Sequence, residues 1–378
     1  MSASVFAALL VVEVGLRIAG FTYFNPYTVD RELGFSLRPN AAGWWTREGK
    51  TYVTLNAHGF RDRGHLIAKP PGTFRIAILG DSFAEAFQVP LEKTFWSVLE
   101  QRISSCRPDM KIEVLNFGVS GFSTGRELIM LRNRVWQYSP DLIVLLFTPG
   151  NDVSDNSRKL DRNRVQALPY FVINEGKLEL DDSLLAVRNR TVVFRLRESF
   201  LGRAFDWVQQ HSRLLGLLYT IREQRDADEQ LRRSVGNEPG LSDEVYRPPA
   251  SAEWEEAWRV TERLLVAMHD EVRARGAKFL VVAGSSGIQV NPDAKKRQDF
   301  MAHLGITNLF YPNERIRSLG RVDGFPVIDL APPLLEYATT NQMYVQGDAA
   351  SGGRGHWNET GHRLAGQLIA EEICRERL

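Results

Sequence analysis

The sequence predicts a doubly wound α/β fold, a parallel sheet sandwiched between helices and carrying a helical insertion. Five short apolar runs alternate with helix-patterned segments along the chain. One of them, Asp141 to Phe147 (DLIVLLF), is apolar at every position after the first, which suits a strand covered on both faces. The interval from Asn151 to Ala252, about 100 residues, fits no βα unit and is too long for a plain loop.

Taken in order, residues 1–22 open with an apolar run, 3–12 (ASVFAALLVV), which Glu13 and Arg17 interrupt. A bilayer span takes about 20 mostly apolar residues, so this run is short for one. No basic stretch precedes it and no small-residue cleavage site follows, which argues against a signal peptide. Two readings stand: a shortened membrane anchor, or a buried or interfacial amphipathic helix. Residues 23–72, rich in aromatics, Gly and Pro, predict an irregular collar with one strand from Thr51 to Leu55.

The main domain, 73–378, then begins with strand 75–79 (RIAIL), a turn, and a helix over 90–103. A second strand (111–118), a helix (127–138) and the third strand (141–147) repeat the unit. The insertion spans about 153–250 and is long enough to hold helices of its own. Its part from 186 to 235 has ten Arg against six acidic residues, with Phe, Leu, Val and Trp interleaved. That pattern suits a lid or membrane-facing surface, or a solvated amphipathic helix packed on the core. A helix over 252–276 ending at Gly276, a fourth strand (278–284), and a fifth strand with its helix (325–338) complete the chain.

Composition narrows the function. The chain has 378 residues, 43% hydrophobic and 25% charged, ordinary values for a globular protein. Forty-seven basic against 46 acidic residues leave a net charge of +1, so no basic field exists to capture nucleic acid. GxxxxGK[ST], GxGxxG after a strand and HExxH are all absent, so no phosphate, dinucleotide or zinc chemistry is indicated. Cys106 and Cys374 form no CxxC or Cys/His spacing, so neither metal nor cofactor is expected.

Sites in this fold class lie at the carboxyl ends of the strands. There the chain places Gly80-Asp81-Ser82-Phe83, a tight turn that exposes a serine hydroxyl for nucleophilic chemistry. Asn116-Phe117-Gly118-Val119-Ser120-Gly121 follows the second strand, where a glycine lets a backbone N–H approach a developing oxyanion. Gly150-Asn151-Asp152 follows the third and supplies an amide donor. Gly355-His356-Trp357-Asn358 precedes the last helix, which Asn358 can cap.

In these four blocks the chain resembles the SGNH branch of the GDSL hydrolases, over roughly residues 73–378 apart from the insertion. The resemblance implies a flavodoxin-like three-layer α/β/α sandwich and acyl transfer to serine and then to water. It implies Ser82 as nucleophile and oxyanion donor, Gly121 and Asn151 as further oxyanion donors, and His356 as general base. Two departures stand out: Pro149 replaces the first glycine of the third block, and Gly353 stands where the family has its orienting Asp, three residues before the histidine. Asp348, eight residues upstream of His356, is the candidate to orient the imidazole, with a backbone carbonyl as the alternative.

His362 lies one turn into the last helix and reads as a packing or surface residue, a second choice for the base. His58 and His65 shape the collar, while Asp81 and Asp152 order the turns around Ser82 and Asn151. Cys106 and Cys374 follow or lie in the first and last helices, which often cover one face of such a sheet; they are either a disulfide or two free thiols. A disulfide, with the N-terminal run, points to an extracytoplasmic, membrane-tethered protein. Three functions fit: a serine esterase acting on a small-molecule or glycan ester, an acyltransferase to a sugar hydroxyl, or a non-catalytic envelope-binding module.

Overall fold

The computed structural model of the protein describes residues 2–161, 167–233 and 241–376. Residues 162–166 and 234–240 of the insertion lie outside it, including the last two positions of the Arg-rich segment.

The chain opens with helix α1 (Ser2–Ile18) and two hairpins, β1 (Tyr27–Asp30) with β2 (Gly34–Leu37) and β3 (Ala42–Trp45) with β4 (Thr51–Thr54). β5 (Thr73–Leu79), α2 (Ser82–Glu85), α3 (Phe95–Cys106), β6 (Lys111–Asn116) and α4 (Thr124–Met130) follow. Next come β7 (Leu142–Phe147) and α5 (Pro149–Asp155). The insertion holds a hairpin, β8 (Tyr170–Asn174) with β9 (Lys177–Asp181), then α6 (Ser183–Arg190), α7 (Val192–Glu198), α8 (Phe200–His211) and α9 (Arg213–Arg233). The remainder is α10 (Ala252–Ala274), β10 (Lys278–Ala283), α11 (Ala294–Leu304), α12 (Tyr311–Asp323), β11 (Val327–Asp329), α13 (Ala331–Asn341) and α14 (Glu359–Glu376).

Five parallel strands form the central sheet in the order β6-β5-β7-β10-β11. Counted along the sheet this is 2-1-3-4-5, the flavodoxin-like order, and its direction reverses between β5 and β7. The loops after those two strands therefore diverge and leave a crevice at their carboxyl ends. Both faces of the sheet are covered, which is why β7 is apolar throughout and fully buried. On one face Ile78, Val144 and Val282 pack on α3, α13 and α14; on the other Ala77, Leu145 and Val281 pack on α4, α10 and the collar.

The collar is more regular than its composition suggests. Three of its four-residue strands, β1 to β3, are too short and too rich in Gly and aromatics to show alternation in the sequence. It is also continuous with the main core, into which it inserts Leu33, Val53 and Phe60. The expected helix over 127–138 is α4 followed by a π-helical turn (131–135) and a 3₁₀ turn (136–138). A disulfide joins Cys106 at the end of α3 to Cys374 in α14, two helices packed side by side on one face.

Candidate active site

β5 delivers Ser82 to the crevice. Gly80 has no room for a side chain, since a Cβ there would lie 2.9 Å from the Cβ of Ala84, and Gly118 is tighter still at 2.4 Å from the same atom. These two glycines let the turn close against the second block. Asp81 caps α2 by accepting from the backbone N–H of Phe83 (2.9 Å), leaving Ser82 as the first helical residue.

His356 arrives from the loop before α14, and its Nε2 lies 2.7 Å from Ser82 Oγ. Asn358 fixes that loop: its Oδ1 accepts from the N–H groups of Thr360 and Gly361, and its Nδ2 donates to the carbonyls of Tyr344 and Gly347. Trp357, fully buried, anchors the same loop through a 2.9 Å bond from Nε1 to Ser285 Oγ.

The residue on the far side of the imidazole is Glu48, and not Asp348. Glu48 Oε2 lies 2.7 Å from His356 Nδ1 and also accepts from the His356 backbone N–H at 2.8 Å. With Nδ1 donating to Glu48, Nε2 is free to accept from Ser82. Asp348 is instead an exposed loop residue whose carboxylate accepts from the Ser351 N–H at 2.7 Å, closing a turn within its own Gly-rich segment.

Glu48 sits at the tip of the β3–β4 hairpin with φ of 56°, and Gly49 after it has φ of 156°. A Cβ on Gly49 would come 2.7 Å from the Gln88 carbonyl, so only glycine lets the hairpin lie this close to the segment after α2. Gln88 in turn donates from Nε2 to the Trp357 carbonyl (2.9 Å), which ties hairpin and histidine loop together. On the other side, a Cβ on Gly355 would lie 2.7 Å from Glu48 Oε2, so that glycine makes the space the carboxylate fills. Glu48 lies 308 positions before His356 in no motif, and nothing in the sequence could have paired them.

The charges agree with this pairing. Burial disfavours a charged His356, yet the hydrogen bond and charge of Glu48, with Asp81 and Glu85 behind, outweigh it and raise the ring above its ordinary value. Burial likewise works against the Glu48 carboxylate, and His356 more than offsets it and lowers its pKa.

Asn151 lies in the first turn of α5 and donates from Nδ2 to Asp81 Oδ2 at 2.8 Å, which brings it to the Ser82 turn. Pro149 fits because it is the first helical position, where no N–H is needed. Gly121 has φ of 73°, and its carbonyl accepts from Arg126. Its neighbour Ser120 donates its N–H to Glu85 Oε1 (3.0 Å), tying the second block to α2. The structure thus joins Ser82, His356 and Glu48 directly, brings in Asn151 through Asp81 and the Gly121 loop through Glu85, and leaves Asp348 out.

Beneath the serine turn lie Asp152 and two carboxyls that the sequence did not single out, Glu85 and Glu127. Burial pushes Glu85 up to about 7, and burial, with the charge of Asp81 beside both, holds Glu127 and Asp152 well above the carboxylate range. Asp152 Oδ2 accepts from the Thr148 N–H at 2.6 Å, which orders the first turn of α5, where Asn151 lies. Protonated Glu127 and Asp152 add no negative charge beside a site where an oxyanion would form.

His362 is fully buried, accepts from the Phe95 N–H through Nδ1 and meets Gln88 through Nε2. Burial drives its pKa down to about 3, so it is a neutral packing residue. His58 packs edge-on against Tyr138, and His65 lies 3.3 Å from Asp62, both within the collar.

No family model matches the chain. An arylesterase of Vibrio mimicus is 31% identical over 80 residues, which make up 21% of this chain and 39% of that protein. The chain therefore spans about two fifths of the length of the curated relative it matches. Among solved structures, the acetyl xylan esterase AlAXEase overlays on 79% of this chain and 100% of its own, at 13% identity and a TM-score of 0.40. Axe2, an acetylxylan esterase from Geobacillus stearothermophilus, covers 80% of this chain and 95% of its own at 12% identity and 0.40. Overlays this loose add nothing to the reading of the site. In the order of its four blocks, the strand ends that carry the first three and the contact between Ser82 and His356, the chain is SGNH/GDSL-like.

Proposed function

We propose that the protein hydrolyses a short acyl ester through an acyl-serine intermediate on Ser82. The observation that carries this reading is the 2.7 Å contact between Ser82 Oγ and His356 Nε2, at the topological switch point of the sheet. The local match to an arylesterase agrees with ester cleavage.

In this scheme Ser82 Oγ attacks the ester carbonyl while His356 Nε2 takes its proton, and Glu48 stabilises the imidazolium through Nδ1. The carbonyl oxygen gains the charge and is met by the N–H groups of Ser82 and Gly121 and by the Asn151 amide hydrogen not given to Asp81. His356 returns the proton to the departing alkoxide, which leaves as an alcohol. A water then attacks the acyl-serine as His356 takes its proton, and His356 gives that proton to Ser82 Oγ as the acyl–Oγ bond breaks, releasing the acid and free Ser82. The compartment belongs to the same proposal: a Cys106–Cys374 disulfide supports an oxidising environment outside the cytoplasm.

A fluorophosphonate should label Ser82, and short-chain nitrophenyl esters should be turned over by the native chain but not by Ser82→Ala. Absence of both labelling and turnover in folded protein would refute an acyl-serine enzyme. Labelling with turnover only when a sugar acceptor is added would replace hydrolysis by transfer.

A further inference from the structure

Helices α1 and α8 expose apolar surface on the side where a water-soluble protein would hide it. In α1 residues 4–12 are exposed all round; Phe6 is 71% accessible, Val11 70% and Ile18 83%. The two charged residues of this helix bond to the protein. Glu13 accepts from Ser212 Oγ and from the N–H groups of Arg213 and Leu214, and Arg17 donates to the His211 carbonyl at 2.6 Å. α8 is inverted in the same sense: Gln209 is buried and Asp206 pairs inward with Arg38, while Phe200, Leu201, Phe205, Trp207 and Val208 stand outward. Amphipathic helices in water present the opposite faces.

We propose that this face, α1 together with the outer side of α8, docks the protein on an anionic lipid bilayer. A protein partner covers one side of a helix, whereas residues 5–12 of α1 are apolar and exposed on every side, the pattern that hydrocarbon solvates. At about 1.5 Å per residue its 17 residues reach about 26 Å, short of a hydrocarbon core of about 30 Å. Among the described residues no helix is long and apolar enough to cross a membrane. In this placement the apolar part of α1 enters the bilayer, α8 lies along the surface, and Trp207 meets the headgroup region. The charge is complementary: Arg190, Arg195, Arg197 and Arg203 are exposed along α6 to α8, where anionic headgroups would meet them. This inference stands apart from the ester chemistry.

Sedimentation of the full chain with lipid vesicles tests it. The protein should pellet with phosphatidylcholine vesicles containing phosphatidylglycerol, and less with phosphatidylcholine alone or at high salt. Phe205→Ser combined with Trp207→Ser should weaken pelleting roughly tenfold while thermal unfolding stays unchanged, since both side chains are exposed. Failure to pellet with either vesicle overturns the proposal, as does equal pelleting of the double variant. If light scattering instead shows a dimer that the double variant loses, with no vesicle binding, the face belongs to a second copy of the chain and the bilayer is excluded.

Discussion

Glu48 is the residue on which the geometry of the site turns. Its side chain is 41% accessible, so solvent screens the ion pair, and its value lies in holding one tautomer and orientation of His356 rather than in stability. Glu48→Gln should lower turnover of a nitrophenyl ester by about 10² to 10⁴, because the amide no longer favours Nδ1–H. The pH profile supplies the sign. A base must be neutral, and Glu48 holds the His356 pKa up, so activity should rise with pH through a limb above the ordinary imidazole value. In Glu48→Gln that limb should move to lower pH even as the plateau falls; a limb left in place would remove Glu48 from the site. Asp348→Asn should leave both plateau and limb unchanged, since its carboxylate serves only the Ser351 turn. Gly355→Ala should mimic Glu48→Gln in activity, because the new methyl would occupy the place of Oε2.

At the scale of elements, two attachments set the position of α14 and the histidine loop before it. Asn358 closes four hydrogen bonds around the helix start, so Asn358→Ala should cost about 1–3 kcal/mol in chemical denaturation and reduce turnover through a loosened His356. The disulfide ties the far end of α14 to α3 across a separation of 268 residues. Cys106→Ser with Cys374→Ser should lower stability by about 2–5 kcal/mol, with little change in turnover at temperatures where the variant stays folded. α3 and α14 already pack through Leu99, Ile103, Ile369 and Ile373, so the bond reinforces a contact that exists without it.

At the scale of the whole molecule, the collar is part of the site and not an appendage to it. Besides Glu48 it contributes Arg61, buried, whose guanidinium donates to the carbonyls of Glu85 and Val89, and Asp62, which accepts from the Asn116 N–H at 2.9 Å. These bonds hold the end of α2, which begins at Ser82, with the segment after it, and the end of β6, from which the Gly121 loop departs. A chain lacking residues 23–72 should melt at lower temperature and show no fluorophosphonate labelling, whereas native labelling in that fragment would show the collar to be dispensable.

Much of this was legible along the chain because its physics is local. The apolar strand 75–79 with its GDS turn, the continuous apolar run of β7 and the Asn358 cap each announce themselves within a few residues, and periodicity reports such segments well. The doubly wound sheet and the order of its four blocks follow from those pieces. What only the tertiary structure decided were pairings across long separations: Glu48 with His356, Cys106 with Cys374, and the outward turn of the apolar sides of α1 and α8. A carboxylate acts through the distance between two atoms, and at His356 the local spacing that would have encoded that distance is broken, because Gly353 stands three residues before it. Once the acid moved onto a separate hairpin, only the packing of that hairpin against Gln88 and the histidine loop could bring it home.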